Sequence, residues 1–175
     1  MVASPLLGWP IFAIAFLQAL ALTVATPGVA VPSHSSSSVG SSVLGLADRD
    51  QSQAFFYQGI QKALQEDYDY AIQLYDQALY LTPDNSDIYY NRAVAYFSLG
   101  RFEEALQDFN QTIQLQPIRA AAYGNRAVVR LALGDRNGAT SDYRQAMELF
   151  KAQGDLAAAQ QMQTWIEQQA ISIKR

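Results

Sequence analysis

The sequence predicts an all-α solenoid of three helix hairpins followed by a C-terminal capping helix. Three observations carry this reading. Segments beginning at Ser52, Ser86 and Ala120 align 34 residues apart without a gap; each carries apolar residues three and four apart; and each breaks once, at the same place.

Ahead of the repeats, residues 5–25 carry no charge and one strongly polar side chain, Gln18, and the first acidic or basic residue of the chain is Asp48. Residues 1–30 therefore read as an export or anchor segment. Three outcomes fit: cleavage after Thr23-Val24-Ala25 or Gly28-Val29-Ala30, retention as one membrane span, or burial as a core helix. The segment starts without Lys or Arg, which weakens the signal-peptide reading and leaves orientation with little to set it. Residues 31–48 are expected to be a flexible linker, because their serine-rich first part, with a proline and a glycine, cannot bury enough surface to offset ordering. His34 lies in that tract with no Cys, Asp or Glu nearby, so it is read as a bystander.

Within the repeats, an aromatic column reads Phe55, Tyr89, Tyr123 and a small column Gly59, Ala93, Ala127. Then come Ala71, Ala105, Ala139; Tyr75, Phe109, Tyr143; Ala78, Thr112, Ala146; and Leu81, Leu115, Leu149. Spacings such as Ala71, Tyr75, Ala78, Leu79 are helical. Glu66-Asp67, Gly100-Arg101 and Gly134-Asp135 mark the turn between two helices, and Pro83 and Pro117 stop the second helix. The small columns are expected to face each other and let the two backbones approach, with the aromatics filling the space beside them. The hairpins occupy 52–85, 86–119 and 120–153.

Residues 154–175 are expected to cap the stack. Gly154-Asp155 supplies a stop and an N-cap, and Leu156, Ala159, Met162, Ile166, Ala170 and Ile173 share a helix face. Trp165 beside that stripe reads as core or rim.

These columns resemble those of the tetratricopeptide repeat family, over residues 52–153. The resemblance implies a right-handed superhelix whose first helices line a concave side that receives extended peptides or partner helices. Mapped here, that side comprises Phe56, Tyr57 and Ile60, then Tyr90, Asn91, Val94 and Phe97, then Gly124, Asn125, Val128 and Leu131. Asn91 and Asn125 are suited to bonding a peptide backbone, and Phe56, Tyr90, Val94 and Phe97 to receiving apolar side chains; for each of these residues the alternative is packing between neighbouring hairpins. A subset of the family holds the C-terminal carboxylate of chaperones with two lysines, two asparagines and an arginine. Only Asn91 matches that set; Phe56, Ile60, Ala121 and Asn125 stand in the other four columns, so acidic chaperone tails are not the expected ligand.

The chain departs from the family in a column usually occupied by leucine, here Gln58, Arg92 and Arg126, and in the terminal proline, replaced by Lys151 in the third copy. Asp108 and Asp142 follow Arg92 and Arg126 by sixteen residues, while the first copy has Gln58 and Leu74. The charges come and go together, which predicts structural ion pairs linking the two helices of a hairpin.

Function classes narrow accordingly. No nucleophile–base pair, metal spacing or phosphate loop is present, so neither enzyme activity nor a metal, cofactor or small-molecule substrate is expected. A formal net charge of −4 without a basic stripe disfavours nucleic acid. The leading expectation is an adaptor or scaffold that binds a protein or peptide partner in the groove. The alternatives are a structural subunit of a membrane-associated complex docking through its outer helix faces and, more remotely, an accessory domain of a separately encoded enzyme. NRAVAY and YGNRAVVRLALGD resemble small repeat proteins of bacteria, cyanobacteria in particular, which implies periplasm or thylakoid lumen; the expected location is exported or membrane-anchored, with membrane contact only through residues 5–25.

Overall fold

A computed structural model describes residues 39–172. The chain divides into two units, Met1–His34 and Ser35–Arg175, and all described residues belong to the second. The expected export or anchor segment and the first part of the expected linker lie outside them. Among the described residues no helix is long and apolar enough to cross a membrane.

Seven helices are described: α1 (Val39–Leu64), α2 (Tyr68–Leu81), α3 (Ser86–Ser98), α4 (Phe102–Leu115), α5 (Ala120–Ala132), α6 (Arg136–Ala152) and α7 (Leu156–Ser172). They pack as the hairpins α1–α2, α3–α4 and α5–α6, each against the next, with α7 on the last. This is the all-α solenoid with a terminal helix that the sequence columns specify. One boundary needs correction: residues 39–48, expected as linker, are the first turns of α1. Serine and glycine lower helix propensity without forbidding a helix that continues from a stable one.

Each hairpin turns in the same way. The residue after the first helix is left-handed at Glu66 (φ 61°), Gly100 (φ 74°) and Gly134 (φ 85°), and Gly154 (φ 80°) repeats the device before α7. At each, the next amide reaches back five residues, as in Arg101 N–H to Tyr96 O (2.9 Å) and Asp135 N–H to Arg130 O (2.8 Å), closing the last helical turn. Only the first hairpin places a side chain in that conformation. Beyond the second helices, Pro83 and Pro117 take on another task. Their carbonyls accept the Tyr89 and Tyr123 hydroxyls at 3.1 Å, tying the aromatic column of one hairpin to the loop before it.

The small columns are buried between paired helices: Ala71, Ala93, Ala105, Ala127 and Ala139 are inaccessible to solvent. Gly59 is the tightest case, for a Cβ there would lie 2.5 Å from Cε1 of Tyr75. The core then passes from hairpin to hairpin. Ile88 and Ala95 of α3 join Ala71, Ile72, Tyr75, Ala78 and Leu79 of α2 in one apolar cluster.

The capping helix repeats the logic with a shifted stripe. Ile88, Arg92 and Ala95 face the preceding hairpin at spacings of four and three; on α7 the same spacing falls on Ala158, Met162 and Trp165, all buried. Trp165 stacks 5.3 Å from Tyr143 of α6, and Asp155 Oδ1 caps α7 by accepting the Ala158 N–H at 2.9 Å. Leu156, expected on the buried stripe, is 70% exposed. Ala159 and Met162 are buried and Ile166 half-buried; the Ala170 side chain and residue 173 lie outside what the structure describes. Periodicity in a single helix locates a face only to within about one residue, or 100° of rotation.

Candidate partner-binding groove

The first helices α1 and α3 lie side by side, and the columns expected to face a partner can be followed along them. On α1, Phe56, Tyr57 and Ile60 are half-buried, and Leu64, one turn beyond Ile60, is exposed. On α3, Asn91, Val94 and Phe97 are half-buried and Ser98 is exposed. Tyr57, Ile60 and Leu64 occupy the same repeat columns as Asn91, Val94 and Ser98, so two neighbouring helix faces present matching, mostly apolar positions. Phe56 and Ile60 also pack on the core cluster, and Phe97 stacks 5.6 Å from Phe102 of α4. Their exposed portions sit on a fixed base.

Four expected groove residues are buried and are corrected here: Tyr90, Gly124, Asn125 and Val128. Tyr90 turns between the second and third hairpins, where its ring meets Phe109 edge-on at 5.8 Å and its hydroxyl accepts the Asn125 Nδ2–H at 2.8 Å. Burial pushes the Tyr90 hydroxyl up to about 12, against the opposing pull of Arg119 and of the Asn125 hydrogen bond. Asn125 therefore serves the inter-repeat core, not a ligand backbone. On α5, Gly124 is closed over by Met162 of α7, whose Sδ would lie 3.5 Å from a Cβ there. The half-exposed columns thus lie mainly on the first helices of two hairpins, and the cap covers part of the third. Asn91 remains half-exposed, with Nδ2 donating to Asp87 O at 2.8 Å.

The arginine and aspartate columns meet. Arg92 Nε and Nη2 donate to Asp108 Oδ2 and Oδ1 at 2.7 and 2.8 Å, and Arg126 makes the same fork with Asp142 at 2.8 and 2.7 Å. Each arginine spends its third nitrogen on the hairpin before it, Arg92 on Asp76 and Arg126 on Asn110. Both acceptors stand sixteen residues before their arginine, mirroring the sixteen after it, a symmetry present in the sequence itself. Burial pushes the Asp108 carboxyl above its ordinary value, against the pull of Arg92. The fork thus holds a charge that the site otherwise disfavours. Asp142 accepts a second cation, Arg130, at 2.8 Å.

One further cation is not marked by the repeat columns. Arg119, in the turn before α5, pairs with Asp87 and lays its guanidinium 4.0 Å from the Tyr90 ring centroid. A lone arginine in a loop carries no periodic signal. Among the described residues no group of His, Asp and Glu is arranged to hold a metal ion.

The family model described as Tetratricopeptide repeat matches residues 86–118, and another, described as TPR repeat, matches residues 62–100. The first tetratricopeptide domain of Spaghetti, solved bound to the HSP90 peptide SRMEEVD, is 30% identical, with 66% of this chain and 95% of that one covered at a TM-score of 0.57. The chain belongs to the tetratricopeptide repeat family. The Sgt2 tetratricopeptide domain of Aspergillus fumigatus is 28% identical over 70% of this chain and 79% of that one, with a TM-score of 0.62. A type III secretion complex from Aeromonas hydrophila shares the fold at 18% identity and a TM-score of 0.70, over 76% of this chain and 89% of that one. No curated protein matches the chain in sequence.

Proposed function

We propose that this tetratricopeptide protein is a non-catalytic adaptor that binds an apolar segment of a partner protein, extended or helical, across the first-helix faces of its first two hairpins. The observation that carries this is the matched pair of half-exposed faces, Tyr57 and Ile60 beside Asn91 and Val94, on a base fixed by the core. The Spaghetti domain was solved with an acidic HSP90 peptide. Here the corresponding columns hold half-buried Phe56 and Ile60 and buried Ala121 and Asn125, so an apolar ligand suits this chain better than an acidic tail.

A second reading, docking through the outer helix faces, is favoured by Tyr80 of α2, which is 88% exposed. Affinity capture from native membranes separates the two. Asn91→Ala/Val94→Asp is expected to lose the captured partner while Tyr80→Ala keeps it; the reverse pattern sinks the groove reading. The same capture comparing full-length chain with 44–175 addresses the proposed export or membrane tether, for which the uncharged run 5–25 is the support.

A further inference from the structure

Among the described residues nothing stacks on the leading side of α1, yet the residues along that side are regular. Ala47, Gln51, Ala54, Gln58 and Gln61 follow one another at spacings of four and three, and Gln65, whose N–H still reaches Gln61 O at 3.3 Å, continues the row. All of them are exposed. Spacings that alternate four and three repeat every seven residues, the period at which two helices keep one seam in contact. Asp48 and Lys62 flank the row on one edge, each one residue past a member of it. The Lys62 side chain is 35% exposed and makes only a long contact of its own, 4.0 Å to Asp67.

We infer that the leading face of α1 pairs with the same face of a second copy, antiparallel, about a two-fold axis at the level of Phe56. The row is self-complementary in that direction. Ala54 meets Gln58 of the second copy, Gln51 meets Gln61 and Ala47 meets Gln65, so each amide finds either a small neighbour that leaves it room or another amide to bond. Asp48 comes beside Lys62 at both ends of the seam. Run parallel, the same faces would set Asp48 against Asp48 and Lys62 against Lys62, which like charges disfavour. A two-fold interface must read the same from both copies, and this row does. The seam is about 27 Å long and holds no large apolar side chain, so the dimer is a reversible one. Tyr57, on the other edge of the row from Lys62, falls on the same side of the seam in both copies. The two grooves then open side by side and the adaptor becomes bivalent; that consequence rests on the groove reading above, whereas the dimer does not.

The chain has no cysteine, so single cysteines report the contact cleanly in full-length protein. Two differently tagged copies, one carrying Gln51→Cys and the other Gln61→Cys, are mixed under mild oxidation. A disulfide between unlike copies is expected, and none between two Gln51→Cys copies, whose thiols the antiparallel seam holds about 15 Å apart. Charge supplies the second readout, co-capture of one tagged copy by the other without any cysteine. Asp48→Lys in both copies, or Lys62→Glu in both, sets like charges together at both ends and should weaken co-capture by about five-fold or more. Asp48→Lys in one copy and Lys62→Glu in the other makes both ends opposite again and should restore it. Cross-links between like copies only, none at all, or a mixture as weak as the single variants overturn the inference. The cysteine pair decides alone if Lys62→Glu, which also gives up Asp67, fails to fold. Loss of a captured partner in Asn91→Ala/Val94→Asp leaves both readouts unchanged, so the dimer and the groove fail separately.

Discussion

The first hairpin and the two that follow are built on the same columns but differ on the side that faces the start of the chain. In the second and third hairpins that side carries Ile88, Arg92 and Ala95, then Ala122, Arg126 and Val129; the four apolar members are buried and the arginines half-buried, each bonded back to the hairpin before. In the first hairpin the same columns hold Ala54, Gln58 and Gln61, all exposed. The difference separates two kinds of conservation within one chain. The columns Gln58/Arg92/Arg126 and Gln61/Ala95/Val129 change character in the first copy alone, whereas the column Ala71/Ala105/Ala139, buried between the two helices of each hairpin, is kept by all three.

The strongest test moves the first hairpin's solution into the second. Arg92→Gln alone strands the Asp108 carboxylate and is expected to cost ~3–5 kcal/mol in chemical denaturation. Arg92→Gln with Asp108→Leu recreates Gln58 and Leu74 and should recover most of that loss. A double variant as unstable as the single one would mean that the fork is not what holds the pair. Next in size is Gly59→Ala, which copies the alanine of the later hairpins. In an ordinary helix it would stabilise; here the Tyr75 ring is in the way, and a loss of about 1–3 kcal/mol is expected.

The aromatic column supplies a pH test. Burial raises the hydroxyls of Tyr75 and Tyr143, in the first and third hairpins, above their ordinary value of 10.0; the second hairpin has Phe109 there. The unfolded chain loses these protons first, so their contribution is fully present below pH ~10 and declines as pH rises toward the folded values. Thermal midpoints should fall over that alkaline range. Tyr75→Phe and Tyr143→Phe should each reduce the fall by up to about 1.4 kcal/mol per pH unit. The smallest effect concerns the turn: Glu66→Gly gives the first hairpin the residue that the others use at positive φ and should stabilise it by about 0.5–1 kcal/mol.

The fold was legible because each column appears three times, so chance apolar residues cancel and real ones reinforce. The failures sit where only one copy exists. α7 has no second example to align with, and its periodicity alone puts Leu156 on a face that Ala158 and Trp165 occupy. The extension of α1 lies before the first repeat, in a composition that reads as linker. The groove was half legible for another reason: Tyr90 and Asn91 are neighbours about 100° apart on a helix. Only the packing of the third hairpin, which brings Asn125 and Arg119 against Tyr90, decides which of them turns inward.

The polar start of the first hairpin bears on how long the array can be. Its Gln58 and Gln61 would meet an added leading hairpin with unpaired amides, and at the other end α7 already fills the docking columns with Ala158, Met162 and Trp165. The count of repeats is therefore written at the two ends and not in the middle. A duplicated copy of 86–119 placed between the second and third hairpins meets compatible faces on both sides, and the protein should lengthen there without losing its fold.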